Sequence, residues 1–178
     1  MMERQFDFME DAQKEQEPPV ATTDKITVED AVEAIRYKYE SYGGVVIPEV
    51  CSFQGFPPEW EAGKARRRID VVVVETWPSR DYLRRAFEIK IERSDFLREI
   101  RNPDKFAWVL TRFHEFWYVA PSGVIKSEEE VPEQAGWFEL VRRRGLVLVR
   151  RKKAPRLSPE TDDVLVATLI HALVRRSR

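Results

Sequence analysis

The 178 residues, 43% of them hydrophobic, suffice for one domain with a proper core; no apolar run approaches the ~20 residues of a membrane span, and the opening MMERQFDFMEDAQ lacks the apolar centre and cleavage pattern of a signal peptide. A single cysteine, Cys51, excludes an internal disulfide framework and fits a reducing cytosol, so a cytoplasmic location is expected, and with only two histidines beside it a structural zinc site is disfavoured. The net charge of -1 hides a segregation: residues 1–30 carry nine acids against three bases, residues 142–178 carry eleven bases against three acids, and arginine outnumbers lysine 21 to 9. A basic body with an acidic tail is compatible with a nucleic-acid partner, because the guanidinium fork binds two phosphate oxygens at once; on charge alone a merely solvated surface is equally compatible.

Residues 1–25 are polar and acidic and are expected to be a disordered tail, ahead of one domain over 26–157 and a C-terminal helix over 158–178 that packs on it or extends from it. Thr27 opens a helix to about Ser41, with Val28, Val32, Ile35, Tyr39 and Tyr42 as its apolar stripe and Gly43-Gly44 as its stop. VVIPEVCS over 45–52 reads as a strand, and Pro48 suggests an edge position or a bulge. A Gly- and Pro-rich loop over 53–65 follows, then two strands over about 67–76 and 84–92 that pair as an antiparallel hairpin. Ser94 is expected to cap a short helix over 95–101, and Pro103 to open another that ends near Arg112. HEFWYVA over 114–120 is apolar on both faces, which predicts a central strand, parallel to the one before it because a helical crossover joins them. One helical turn at Ser127–Glu130, a hairpin from WFELV and LVLVR around Arg142–Gly145, a basic linker and a helix opened by Ser158-Pro159 complete the chain. The expected class is α/β: a mixed central sheet flanked by helices, with a C-terminal hairpin and helix.

Charged side chains interrupt the two strands of the first hairpin. Asp70 precedes four valines, and Glu88 and Lys90 stand two apart in an apolar run, so both project to one face of the strand. Such groups are rarely buried without a partner. On adjacent strands the two carboxylates converge, and a proton or a cation must sit between them. Oxygen donors of this kind suit Mg²⁺ or Mn²⁺, with the Ile89 carbonyl as a further ligand. Lys90, beside them, is placed to orient a water or to stabilise charge growing on phosphorus, which is the equipment of phosphodiester hydrolysis. From spacing alone a surface ion pair between Glu88 and Lys90 is the commoner outcome.

RRRIDVVVV, FEIK, ERSDFLREIRNPDKFAW and HEFWYVAPSGVI together resemble the PD-(D/E)xK nuclease superfamily and, more narrowly, the MmcB-like DNA-repair group, over about 45 to 150. The resemblance implies a restriction-endonuclease-like fold and Mg²⁺-dependent DNA cleavage, with Asp70 and Glu88 as metal ligands and Lys90 as the catalytic lysine. It also implies a further acid from the first helix or strand. Glu49 is the choice, on the strand that should neighbour Asp70, with Glu40 and Glu33 as alternatives. Ile69 stands where many members have proline.

Arg66, Arg67 and Arg68 are candidates to grip DNA phosphates, with Arg68 on the face of Asp70 by alternation. Ser94, Asp95 and Lys105 are candidates for contacts around the site or with the DNA backbone, against readings as a helix cap and a solvated lysine. His114 reads as structural, His171 as packed or exposed and not as a ligand, and Cys51 as a buried small residue. Trp108, Phe113, Phe116, Trp117 and Tyr118 read as core, whereas Phe56 and Trp60 are the better stacking candidates. Two alternatives to catalysis remain open: a non-catalytic module that binds nucleic acid or a repair-protein partner through a nuclease-like fold, and oligomerisation, as a homodimer, through the C-terminal helix.

Overall fold

The computed structural model describes residues 25–53, 66–102 and 107–176. The expectations for the acidic tail, for most of the 53–65 loop with Phe56 and Trp60, and for Lys105 lie outside those residues. The elements run α1 (Val28–Glu40), β1 (Gly44–Cys51), β2 (Arg68–Glu75), β3 (Arg84–Ile89), α2 (Arg93–Ile100), α3 (Ala107–Leu110), β4 (Glu115–Pro121), β5 (Ala135–Arg142), β6 (Leu146–Lys152) and α4 (Asp163–Arg176), with 3₁₀ turns at Pro78–Arg80 and Glu128–Glu130. The six strands form one sheet in chain order. β1–β2, β2–β3 and β5–β6 are antiparallel, while β3–β4 and β4–β5 are parallel. The sheet is therefore mixed, β4 is interior, and the crossover through α2 and α3 makes β3 and β4 parallel as its length requires.

Alternation along the strands divides the core between the two faces. On one face α1 packs Ala31, Ala34, Ile35 and Tyr39 against Val71, Val73, Phe87, Trp117 and Phe138. On the other, α2, α3 and α4 cover Val72, Ala86, Phe116 and Tyr118 with Phe96, Trp108, Val109 and Leu165. The valine, leucine, isoleucine and phenylalanine side chains among them each contribute about 1.5–3 kcal/mol when fully buried. Among the described residues no helix is long and apolar enough to cross a membrane.

Local chemistry explains the boundaries. Thr27 caps α1 through a reciprocal box: its hydroxyl accepts from the Asp30 N–H at 3.2 Å and the Asp30 carboxylate accepts from the Thr27 N–H at 2.9 Å. Gly43 ends the turn with φ of 78°, and a Cβ there would meet the Trp77 indole at 2.2 Å. Three expectations need correction. The buried stripe of α1 is Ala31, Ala34, Ile35 and Tyr39, whereas Val28 and Tyr42 are exposed, because the small alanines let the helix lie close on the sheet. Helix α2 begins at Arg93 behind Glu92, so Ser94 is an exposed first-turn residue and not the cap. Helix α4 begins at Asp163, where Asp162 accepts from the Leu165 N–H at 2.6 Å; Ser158-Pro159 lies before it in a stretch without regular secondary structure, fastened by the Leu157 N–H on the His114 carbonyl.

His114 is structural, as expected: its Nδ1 accepts from the Arg84 N–H at 3.0 Å where β3 and β4 begin to pair. Cys51 is buried and receives the Arg66 guanidinium on its sulfur at 3.0 Å. The C-terminal helix packs on the domain through Leu165, Leu169, Ala172 and Leu173 and exposes Val166, Ile170 and Val174.

Gly136 lies where β5 passes under the Trp117 ring, and a Cβ there would fall 2.4 Å from the ring and 2.6 Å from the Ala154 nitrogen. Overpacking of this kind costs about 1–3 kcal/mol. Gly136→Ala is thus expected to lower the urea midpoint by that equivalent without changing the slope; an unchanged midpoint would contradict the packing described for β4 and β5.

Candidate active site

Glu75 donates its N–H to the Leu83 carbonyl, so the narrow, hydrogen-bonded pairs of the β2–β3 hairpin are Glu75–Leu83, Val73–Arg85 and Val71–Phe87. Continuing the count, Asp70 stands opposite Glu88, and the next narrow pair would be Ile69 with Ile89. The ladder stops before it. The Ile89 N–H instead donates to Asp70 Oδ2 at 2.8 Å. On the other side of β2, register sets Glu49 opposite Asp70, and Glu49 has φ of 55°. A left-handed residue in mid-strand breaks the alternation: Ile47 and Val50, three apart, fall in one core cluster, as do Ile69 and Val72. Of the two readings suggested by Pro48, the edge position is found; the β1–β2 register runs unbroken past the left-handed Glu49.

The break in the β2–β3 ladder opens a cleft of about 470 Å³ at the carboxyl end of β3, roofed by the first half of α1. It is lined by Asp70, Glu88, Ile89, Lys90, Glu49 and Arg68 from the sheet and by Glu33 and Arg36, among others, from α1. All the residues expected to form the catalytic set thus line one cleft, with the alternative acid Glu33 but not Glu40. Glu49 Oε1 is held by Arg68 at 3.0 Å. Among the described residues no three His, Cys, Asp or Glu side chains are grouped to hold a metal, so Asp70 and Glu88 stand as a pair. Arg66 and Arg67 line an adjoining cleft of about 330 Å³ that shares Glu49 and Arg68 with the first. Ser94 lines neither.

Two participants were not visible in the sequence reading. Lys90 is 9% exposed, and its ammonium donates to Glu88 Oε1 at 2.7 Å and to Glu99 Oε2 at 2.6 Å. Glu99 comes from α2 and is itself buried. Its spacing of three from Phe96 on a short helix was the available signal, since a carboxylate on the buried stripe needs a cation. Arg175, from the end of α4, joins Arg66, Arg67 and Arg68 around the adjoining cleft, a juxtaposition that no local pattern announces.

Three carboxylates around one ammonium leave the cluster short of positive charge. Burial pushes the Asp70 carboxyl above its ordinary range, Glu99 adds to it, and the Ile89 N–H, Lys90 and Arg68 offset only part. Glu88 is pushed up to about 8, by burial first and then by Asp70 and Glu99, against the pull of Lys90. Burial works against the Lys90 ammonium, but Glu88 and Glu99 outweigh it and hold it above the usual lysine value. Tyr118, buried beneath Glu99 and Glu88, is raised as well, by burial first. Chemically the cleft offers hard oxygen donors, a charged lysine and a flanking arginine surface.

A carboxyl whose native value exceeds its unfolded one binds more protons in the folded state. Stability from Glu88 is then fully present below about 4.5 and is lost as pH rises through about 8. Chemical denaturation across that window is expected to show wild-type stability declining with pH relative to Glu88→Gln, in buffer with EDTA; parallel curves would contradict the shift. Replacing Glu99 with Gln is expected to lower the Lys90 pKa, read by NMR at its Nζ, and an unmoved titration would remove Glu99 from the network.

No protein-family model matches the sequence, and no curated protein matches it. Among solved structures the chain is similar to a protein of unknown function from Silicibacter pomeroyi, with 14% identity, 87% of this chain and 91% of that one covered, and a TM-score of 0.60. At that identity the likeness shows a shared fold: α/β, with a mixed six-stranded sheet flanked by helices.

Proposed function

We propose that the chain is a divalent-cation-dependent DNA endonuclease or DNA-repair nuclease, built on a restriction-endonuclease-like version of this α/β fold and using a PD-(D/E)xK arrangement of the MmcB-like kind. The observation that carries the reading is the Asp70–Ile89 hydrogen bond of 2.8 Å, which fastens one half-buried carboxylate at the level of Glu88 and near Lys90 where the hairpin ladder ends. A purely structural ion pair needs neither the interrupted ladder nor the second carboxylate.

The donor set fits a hard cation. Burial first, and then the neighbouring Asp70 carboxylate, push Glu88 up to about 8, and oxygen ligands suit Mg²⁺ or Mn²⁺. Asp70, Glu88 and the Ile89 carbonyl would hold it, and when bound it supplies positive charge against phosphate oxygens and acidifies a neighbouring water. The chain's own groups do the rest. Lys90 has three ammonium protons, and the two bonds to Glu88 and Glu99 leave one to donate to a phosphate oxygen or to the attacking water. Glu99 acts through Lys90 as a positioning residue. Arg68, with Arg66, Arg67 and Arg175 in the adjoining cleft, offers cations along which a strand's phosphates would run. Arg68 is partly neutralised by Glu49, so substrate phosphate would compete for it.

A second reading, a nucleic-acid-binding module without catalysis, draws on the same ion pairs: Lys90 already has two carboxylate partners, as a buried structural network would. Nicking of supercoiled plasmid with Mg²⁺ or Mn²⁺ separates the two. Wild type is expected to nick, and Asp70→Asn, Glu88→Gln and Lys90→Ala each to lose about 10²–10³-fold. Glu99→Gln should retain part of the activity, with the alkaline limb of its pH profile moved to lower pH. Equal activity in wild type and Lys90→Ala would remove Lys90 from the mechanism, and no cleavage of duplex, branched or single-stranded DNA would leave the binding module.

A further inference from the structure

A second cleft, of about 500 Å³, lies at the opposite end of the same strands and takes no part in the site described above. Lys38 and Tyr39 of α1, Arg85 of β3, Glu115 and Trp117 of β4, Phe138 of β5, and Arg150 and Lys153 at the end of the chain's last hairpin line it. Arg85 and Glu88 are three residues apart on β3, so the two clefts are separated by about 10 Å along the strand.

The charges of this cleft do not balance. Arg85 is satisfied: its Nε donates to Glu115 Oε2 at 2.7 Å and its other arm pairs with the fully buried Glu75. The same Glu115 oxygen accepts from the Trp117 indole N–H at 2.9 Å, so the cleft's one carboxylate is already engaged. Lys38, Arg150 and Lys153 remain, and none of them has an ion-pair partner among the described residues. Lys38 lies half-buried with its ammonium 5.4 Å from the centre of the Phe138 ring. Arg150 stands opposite Phe138 in the β5–β6 register, on the face that α1 covers. Burial, then Arg150 and Arg85, hold the Lys38 ammonium below its ordinary value. Arg150 and Lys153 are exposed, but the half-buried Lys38 ammonium beside them is disfavoured by like charge, and an anion joining them would relieve it.

We propose that this cleft is a second anion site, which binds the phosphate group of a phosphate-bearing ligand between Lys38, Arg150 and Lys153. Three cations match a phosphate oxyanion better than a singly charged carboxylate, and the Arg150 fork can engage two of its oxygens. The same chemistry is offered by a nucleic-acid strand that continues past the first cleft and by a free phosphate or phosphomonoester. Aromatic stacking is not the recognition element, because Trp117 and Phe138 stack on each other and are almost fully buried.

The Trp117 indole N–H, bonded at the floor of the cleft, gives a local reporter. The full chain, with ¹⁵N-labelled tryptophan and in EDTA, is titrated with inorganic phosphate, with acetate at matched ionic strength, and with a short DNA duplex. Phosphate is expected to shift the Trp117 resonance saturably, and Lys38→Gln/Arg150→Gln to weaken that binding by about tenfold or more. DNA that saturates first and excludes phosphate identifies the strand as the source; phosphate binding that DNA leaves untouched identifies the free anion. Either result supports the site. No shift with either probe, an equal shift with acetate, or unchanged affinity in the double variant would overturn it. Should that variant fail to fold, the exposed Lys153→Gln and Arg150→Gln singles decide, since each must weaken phosphate. The readout needs no cleavage and none of Asp70, Glu88 or Lys90, so the site stands or falls independently of the nuclease proposal.

Discussion

Past Val71 and Phe87 the hairpin at the heart of the sheet exchanges no further backbone bonds, and the N–H that would have continued the ladder goes to the Asp70 carboxylate. That substitution of a side chain for a strand decides the geometry around it. It lets β2 and β3 part without leaving a buried donor unpaired, which would cost about 1–3 kcal/mol. It fastens Asp70 to the Ile89 N–H, at the level of Glu88 in the continued register. It also coincides with the left-handed Glu49 on β1, so that both neighbours of the β2 segment yield at the same level and the cleft opens between sheet and helix. Positive φ at a non-glycine residue carries a cost of order 1–3 kcal/mol and persists where the surroundings impose it.

Electrostatics give the opening its chemical character. Buried ion pairs are often no better for stability than well-packed apolar groups, so Asp70, Glu88, Lys90 and Glu99 are poorly explained as a device for holding the fold. Asp70 and Glu88 are both raised while Lys90 stays charged, an arrangement that invites further positive charge. The arginines lie to one side, on β2, on the segment before it and at the end of α4. A polyanion lying across them would bring a phosphate toward the deficit. The proposed hydrolysis draws on that combination, and the cleft beside Lys38 extends the cationic surface along the same helix α1.

Much of this was legible in the sequence, and the reason is local. The period of two on a strand puts Glu88 and Lys90 together, and a short hairpin brings Asp70 opposite them, so three residues within a span of twenty-one define the site without knowledge of the tertiary fold. The mixed sheet, the interior β4 and the edge position of β1 followed from hydrophobic pattern, crossover length and Pro48. What escaped depends on packing between distant elements. Glu99 reaches Lys90 only because Phe96 turns that face of α2 inward, and Arg175 reaches Arg66–Arg68 only because α4 returns across the sheet to β1. Capping was misjudged twice for one reason: Ser94 and Ser158 are competent caps, but the helices start where Phe96 and Leu165 can enter the core, which selects Glu92 and Asp162 as the flanking residues. On α1 the expected stripe held at Val32, Ile35 and Tyr39 and failed at its ends, since Ala31 and Ala34 face the sheet while Val28 and Tyr42 are exposed.

The central claim is that Asp70 and Glu88 form one site for a divalent cation. A crystal soaked in Mn²⁺ and measured at an anomalous wavelength tests it without reference to substrate. The account predicts an anomalous peak between the two carboxylates, within ligand distance of the Ile89 carbonyl and lost in Asp70→Asn. An empty position at saturating Mn²⁺, with Lys90 still bridging Glu88 and Glu99, would contradict it.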